Sequence, residues 1–322
     1  MLSVALLVPH GAALPGLEQA RQGLLVANAH RRERGLPAAF DVFCLAATPT
    51  VSLDGGRLQV RADRTLADTG PIELALVPPV HGPLGEVLPA NGALVDWLRG
   101  HYQAGGMVGS LCMGAALVAE AGLLDGRQAA VHWGVCAAYG RQFPRVRWLA
   151  EQVVHQDGRL YTSGGASSSA QLILRLIEQY AGRDVAIWCA KWFQLDWQRT
   201  SQLPYTIFSG PRHHTDELVA AVQDYLELHY AHRQGIEQLA SRFTVTRRTL
   251  ERRFRQATGH TLGEYLQRIR IEAAKQRLET TRRSVSEVMG EVGYLDDKSF
   301  REVFRKHCGM SPMAYRARYA SA

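Results

Sequence analysis

Cys112 stands where an apolar run gives way to a small-residue helix, in Gly105-Gly-Met-Val-Gly-Ser-Leu-Cys112-Met-Gly114-Ala-Ala-Leu-Val-Ala-Glu-Ala-Gly. A tight strand–turn–helix of this kind holds its central side chain over a sheet and at a helix N-terminus. The helix dipole there lowers a thiol's pKa, and the turn amides can hold an anion. Such a cysteine is a nucleophile or a redox centre. The plainer alternative is a small buried thiol on a packed turn. A second set of residues offers electrostatic chemistry. Arg247, Arg248, Arg252 and Arg255 crowd one short stretch, and Lys298, Arg301, Arg305 and Lys306 another. Cations displayed at helical spacing suit phosphates and base edges.

The elements that position the thiol are read from periodicity. Buried strands are predicted at 4–8, 41–46, 72–77 and 107–111, and helices at 17–31, 92–103, 113–121 and 171–180. This alternation predicts an α/β layer sandwich around a parallel sheet, with ligands gathering at the carboxyl ends of the strands. Residues 184–195 continue with helical spacing, and Trp188 and Trp192 fall four apart on one face, for packing within the domain or at a dimer seam. Prolines and glycine then break the pattern between 196 and 211. The expected division is a first domain over 1–202, a linker over 203–214 and a second domain over 215–322.

The second domain says one thing twice. Ile236–Phe254 and Val285–Phe304 each read as a short apolar-periodic helix, a break, and a helix loaded with Arg or Lys on its outer side. That is a helix-turn-helix, and a tandem pair presents two reading helices to one duplex. Leu250 and Phe254 point inward in the first reading helix, as do Phe300 and Phe304 in the second. Thr246 is the expected N-cap of the first, Gly259 closes it, and a helix over 261–279 spaces the two motifs. Met289 stands where the first motif has Ala240, with Gly290 beside it, so the second motif is expected to pack more loosely.

Composition agrees. The chain has 322 residues, room for about two domains, and 46% hydrophobic residues, which argues against disorder. The net charge is +7, with 19 Lys and Arg against 14 Asp and Glu from residue 213 onward and 18 against 16 before it. A basic module points to a polyanion. Five scattered cysteines without Cys/His ligand spacing give neither a disulfide scaffold nor a zinc site, and no cofactor is expected. The N-terminal MLSVALLVPHG lacks a charged leader region and reads as a buried strand, and no apolar run reaches ~18 residues. No membrane span is expected, and a cytoplasmic chain is.

Gly-Ser-Leu-Cys112-Met-Gly-Ala, then Ala-Glu-Ala-Gly-Leu-Leu-Asp-Gly-Arg and Ala-Val-His132-Trp, resemble the ThiJ/PfpI type of the class I glutamine-amidotransferase-like, flavodoxin-like fold. Tyr161-Thr-Ser-Gly-Gly-Ala-Ser-Ser-Ser-Ala-Gln-Leu matches that family's segment after the histidine, and the resemblance spans roughly 3–182. More narrowly, it is similar to the sensor domain of some AraC-type regulators. His132, twenty residues after Cys112, is the implied partner histidine. Enzymes of the superfamily add an acid after the first strand. Here Gly16 falls near that place and Glu18 about two residues off, and the 77–83 loop lacks a Gly-Gly pair for an oxyanion. A Cys–His pair with neither is a poor nucleophile system. The resemblance therefore implies a sensor that has kept a pocket and lost the chemistry, with Cys112, His132, Glu18, His10, His81 and Trp133 as its candidate lining. Two alternatives stay open: an active cysteine hydrolase or isomerase using Glu18, and a redox sensor oxidised at Cys112.

Ala-x-x-Phe-x-Val-x-x-Arg-x-Leu-x-Arg-x-Phe and Gly293-Tyr-x-Asp-x-x-x-Phe-x-x-x-Phe-x-x-x-x-Gly309-Met-Ser-Pro312-x-x-Tyr315-Arg316 resemble the AraC/XylS DNA-binding domain over about 215–319. The resemblance implies that both reading helices enter successive major grooves. By motif position, Arg248, Glu251 and Arg252 are expected to reach bases from the first helix, and Asp297, Lys298 and Arg301 from the second. Arg247, Arg255, Arg305 and Lys306 are better placed for phosphates. Gln202, Pro204 and Tyr205 resemble a joint segment of such regulators. The implied partners are double-stranded DNA, an amino-acid or amine effector, a second copy of the chain and, for an activator, RNA polymerase.

Overall fold

Strand β1 (Leu2–Leu7) shows why the first half is layered. Val4 and Leu6 join one apolar cluster, Ala5 and Leu7 another, and none is more than 1% exposed. A strand buried on both faces must be apolar throughout, as in sheets covered by helices on either side. The computed structural model describes residues 1–197, 199–232 and 235–320, and the chain divides into compact units at Met1–Gln202 and Leu203–Ala322.

In the first unit β1 is followed by α1 (Leu14–Glu33), β2 (Phe40–Ala46), the hairpin of β3 (Thr50–Leu53) and β4 (Leu58–Arg61), β5 (Arg64–Thr65) and β6 (Leu74–Val77). Then come α2 (Leu84–Ala90), α3 (Gly92–Gln103), β7 (Met107–Ser110), α4 (Ala115–Glu120), β8 (Gln128–Ala130), α5 (Cys136–Gln142) and β9 (Arg147–Leu149). The unit ends with β10 (Val154–Asp157), β11 (Leu160–Ser163), α6 (Ala166–Ala181) and α7 (Arg183–Trp192). Seven strands form one sheet in the order β10-β11-β7-β6-β1-β2-β5. Leu24, Leu172, Ile177 and Val185 of α1, α6 and α7 cover one face, and Leu94, Leu98 and Leu117 of α3 and α4 the other.

The expectation of a parallel sheet fails at one edge. β10 runs antiparallel to β11, because Asp157 and Leu160 are joined by only Gly158, at φ 59°, and Arg159. A connection that short can only reverse the chain. The β3–β4 hairpin and the two-strand β8–β9 sheet were also absent from the periodicity reading.

The second unit holds α8 (Glu217–His229), α9 (Ile236–Arg242), α10 (Arg247–Thr258), α11 (Leu262–Thr280), α12 (Val285–Glu291), α13 (Asp297–Cys308) and α14 (Pro312–Tyr319). Its two apolar cores share one helix: α11 gives Leu262 and Tyr265 to the first, and Ile271, Ala274 and Leu278 to the second. The motifs repeat down to their caps. The Thr246 hydroxyl accepts the Thr249 N–H at 3.2 Å, and the Asp296 carboxylate accepts that of Ser299 at 2.7 Å. Gly259 and Gly309 close α10 and α13 in left-handed conformation, at φ 75° and 70°. Buried Tyr265 and Tyr315 each donate a hydroxyl, to Glu227 and Glu279. The expected looseness of the second motif is not found. Met289 lies at the rim of its core, which Val288, Val292, Phe300 and Phe304 fill, each 0% exposed.

Residues 203–214, expected to form a linker, instead strap along the helices of the second unit. Leu203–Tyr205 makes a short 3-10 turn. Tyr319 donates to the Pro204 carbonyl at 3.1 Å, Arg318 to the Tyr205 hydroxyl, and buried Lys275 to the Thr206 carbonyl. Phe208 packs edge-on to Tyr265 at 5.3 Å, Gln223 donates to Pro211 at 2.9 Å, and Arg212 pairs with Asp224 and Glu227. A segment whose Pro204, Thr206 and Pro211 carbonyls and Phe208 ring find partners on one unit is part of that unit's fold, with Ile207 left exposed. Among the described residues no helix is long and apolar enough to cross a membrane.

Candidate functional site

The thiol elbow follows from two backbone facts. Cys112 takes φ 52°, rare for a residue with a Cβ, and a Cβ on Gly114 would lie 2.4 Å from the Pro78 carbonyl. Only glycine at 114 lets the turn settle onto the end of β6. The Cys112 N–H donates to the Ser163 hydroxyl at 3.4 Å, and Tyr139 donates to the Met113 carbonyl at 2.9 Å, close to the thiol. The side chain is 4% exposed, and burial pushes its pKa up to about 11, outweighing the favourable Met113 amide. The expected lowering by the helix terminus is therefore overturned. Desolvation of a thiolate costs more here than the turn dipoles return.

His132 caps the short turn Trp133–Val135 that follows β8. Its Nδ1 accepts the Gly134 N–H at 3.0 Å, and a Cβ on Gly165 would lie 2.8 Å from its ring. Burial lowers its pKa, so the ring is neutral near pH 7. Trp133 is half-buried with its ring 5.3 Å from that of His132. Among the described residues neither His132 nor any carboxylate hydrogen-bonds the Cys112 sulfur. Glu18 is a correction to the expected lining. Arg21 and Gln22 hold its carboxylate at 2.7 Å, chiefly Arg21 lowers its pKa, and the thiol it influences is Cys44. One helical turn separates Glu18 from Arg21, so local pairing wins over reaching the elbow. His10 and His81 are exposed, on loops stitched together by the His81 N–H to Gly11 carbonyl bond and by Asn91, which bonds both ways to the His10 backbone. Ser163 and Tyr139 are the residues periodicity missed, because each meets the elbow only through hydrogen bonds from a segment distant in sequence.

A raised thiol pKa has a testable pH signature. At pH 8 on the order of a thousandth of Cys112 is thiolate, so iodoacetamide labelling of its peptide should be slow and climb toward pH 11. The stability tied to this protonated thiol is complete below the unfolded value near 9 and is lost as pH rises through about 11. Cys112→Ala should flatten that part of alkaline unfolding. Half-maximal labelling near pH 7 would mark an activated thiolate instead.

The reading helices display their charges unequally. Arg248, Arg252, Arg255, Lys298, Arg305 and Lys306 are exposed, and among the described residues none has a salt bridge. Arg247 is tied to Glu237 at 2.6 Å and Glu251 at 3.0 Å, and Arg301 to Asp297 at 2.6 Å. Arg253, which the sequence did not single out, turns back to grip Asp216, the N-cap of α8, at 2.9 and 2.6 Å.

Residues 239–318 match a helix-turn-helix domain family, and residues 32–179 the DJ-1/PfpI family. The chain is 30% identical over 314 residues to the HTH-type transcriptional regulator CdhR of Pseudomonas aeruginosa, covering 97% of this chain and 90% of that one. It is 27% identical over 274 residues to GbdR of the same species, 82% and 72% covered. An AraC family transcriptional regulator from Pseudomonas putida shares the α/β fold, with a TM-score of 0.51 at 20% identity over 60% of this chain and all of that one. With a full-length relative and both domain families agreeing with the two units, the chain belongs to the AraC-family transcriptional regulators that join a DJ-1/PfpI-type domain to a helix-turn-helix domain.

Proposed function

We propose that the chain reads two successive major grooves of a specific duplex under control of a small nitrogenous effector. The observation that carries this is the repeat of α10 and α13, capped alike, cored alike and arrayed with exposed cations. Arg248, Glu251 and Arg252 contact bases from α10, and Asp297, Lys298 and Arg301 from α13. Arg247, Arg255, Arg305 and Lys306 hold phosphates. Residues 1–202 form the sensing domain and 215–322 the reading domain, in a cytoplasmic activator that contacts RNA polymerase. The effector, an amino acid or amine, sits at the neutral His132 beside Trp133, whose ring face suits a cationic nitrogen. An enzymatic reading is not favoured: the relatives are transcriptional regulators, and the Cys112 thiol is protonated.

A second copy docks through α7. Trp192 is 62% and Phe193 37% exposed, beside an apolar cavity of about 120 Å³ lined by Gly23, Ile173, Ile177 and Leu195. Duplexes selected from a random pool by the full chain should converge on a direct or inverted repeat, each half carrying two elements about 34 Å apart. The same sample should sediment as two chains, and Trp192→Glu as one. A pool that enriches no sequence sinks the reading.

A further inference from the structure

Gln202 closes the first unit with its side chain 1% exposed. Its amide nitrogen donates to the carbonyls of Val131 at 2.9 Å, Ala150 at 3.1 Å and Gln152 at 2.9 Å. Its side-chain oxygen accepts the Gly165 N–H at 2.9 Å, and its backbone N–H donates to Glu151 at 2.7 Å. Val131 precedes His132, and Gly165 is the residue over which the His132 ring lies. The glutamine thus grips both backbone segments that frame that ring. The fit is close: a Cβ on Gly164 would lie 2.3 Å from the Gln202 amide.

The very next residue is anchored elsewhere. Leu203 packs over Gly309, the residue that closes α13, and Pro204 and Tyr205 bond to Tyr319 and Arg318 of α14. No slack residue separates the two sets of anchors. One set touches the effector corner, and the other seats against the end of a reading helix.

We propose that Gln202 is the coupling residue of this regulator, passing displacement of the His132–Gly165 corner to the turn at 203–206 and so to α13. The inference rests on the effector reading above and names the route of its regulation. Withdrawing the Gln202 amide strips a buried N–H and several buried carbonyls of their partner, so the side chain is held in or fully out. An effector that favours one of these states shifts the population of the other.

The experiment is hydrogen exchange by mass spectrometry on the full chain, together with its affinity for a duplex chosen by the selection above. The reporter is the Thr206 amide, which donates to the Leu203 carbonyl at 3.2 Å. Gln202→Ala removes the latch. Gly164→Ala ejects it with one methyl and leaves Gln202 in place. Gln202→Glu keeps the shape but sets an oxygen against the three carbonyls. Each should raise exchange at Thr206 and change duplex affinity by about tenfold, within the usual range of coupling energies. The Gly164→Ala/Gln202→Ala pair should match Gln202→Ala alone, since the methyl then has nothing to displace. Faster exchange at Gly165 with unchanged Thr206 exchange and unchanged affinity in these variants overturns the proposal. A chain that binds no amine or amino acid in thermal-shift titrations, yet shows the coupled exchange, overturns the effector reading and leaves the coupling standing.

Discussion

Gly293→Ala should cost about 3 kcal/mol or more and unfold the second helix-turn-helix, from two effects that add. Gly293 holds φ 86°, outside the range open to L side chains without strain, and its Cβ would fall 2.5 Å from the Ala231 carbonyl. The chain can relieve neither effect without moving the turn off the end of α8. Gly259 is the control. It has φ 75° but nothing within 4 Å of a Cβ, so Gly259→Ala should cost only about 1 kcal/mol. Urea unfolding of the full chain compares the two, and a fluorescent-duplex titration checks the reading surface. Equal losses in both variants would show that the Ala231 contact has no energetic weight. The first motif meets the same turn with Thr244 at φ 56°, a strain its shorter connection imposes.

The other large effect is expected at Arg252. It is exposed and without a salt bridge among the described residues, so it meets DNA without first breaking an ion pair. Arg252→Ala should weaken binding to the selected duplex by about 1–3 kcal/mol and relax preference at the base it contacts. Arg247 is shared between Glu237 and Glu251, and using it on a phosphate means giving up those bonds. Arg247→Ala should therefore cost less, act evenly on all sequences, and lower the salt slope by about one. Titrations over several salt concentrations, with selected and scrambled duplexes, separate the two behaviours. A loss for Arg252→Ala that is the same on both duplexes assigns it to phosphate and removes it from the base readers.

What could be read in advance divides along the range of the forces involved. The tandem motifs were legible almost residue by residue, since a cap such as Thr246 and inward pairs such as Phe300 and Phe304 act within one or two helical turns, while the capping role of Asp296 emerged only with the structure. So were the main strands, where both-face burial demands an unbroken apolar run. The elbow glycine and cysteine were visible as a motif, because backbone geometry there restricts which residues fit.

Other features depended on which distant segments met. The antiparallel edge at β10 is set by a two-residue turn whose strands carry no clear alternation. The protonation of Cys112 is decided by how completely the surrounding elements exclude water. Glu18 went to Arg21 because a partner one turn away costs less chain entropy than one across the sheet. The strap at 203–214 reads as a linker in one dimension, with its prolines and glycine, and becomes structure only when Lys275, Tyr265 and Tyr319 arrive beside it. Gln202 is the clearest case. The sequence places it in a joint segment by resemblance alone, and only the tertiary fold brings three carbonyls and one N–H to its amide.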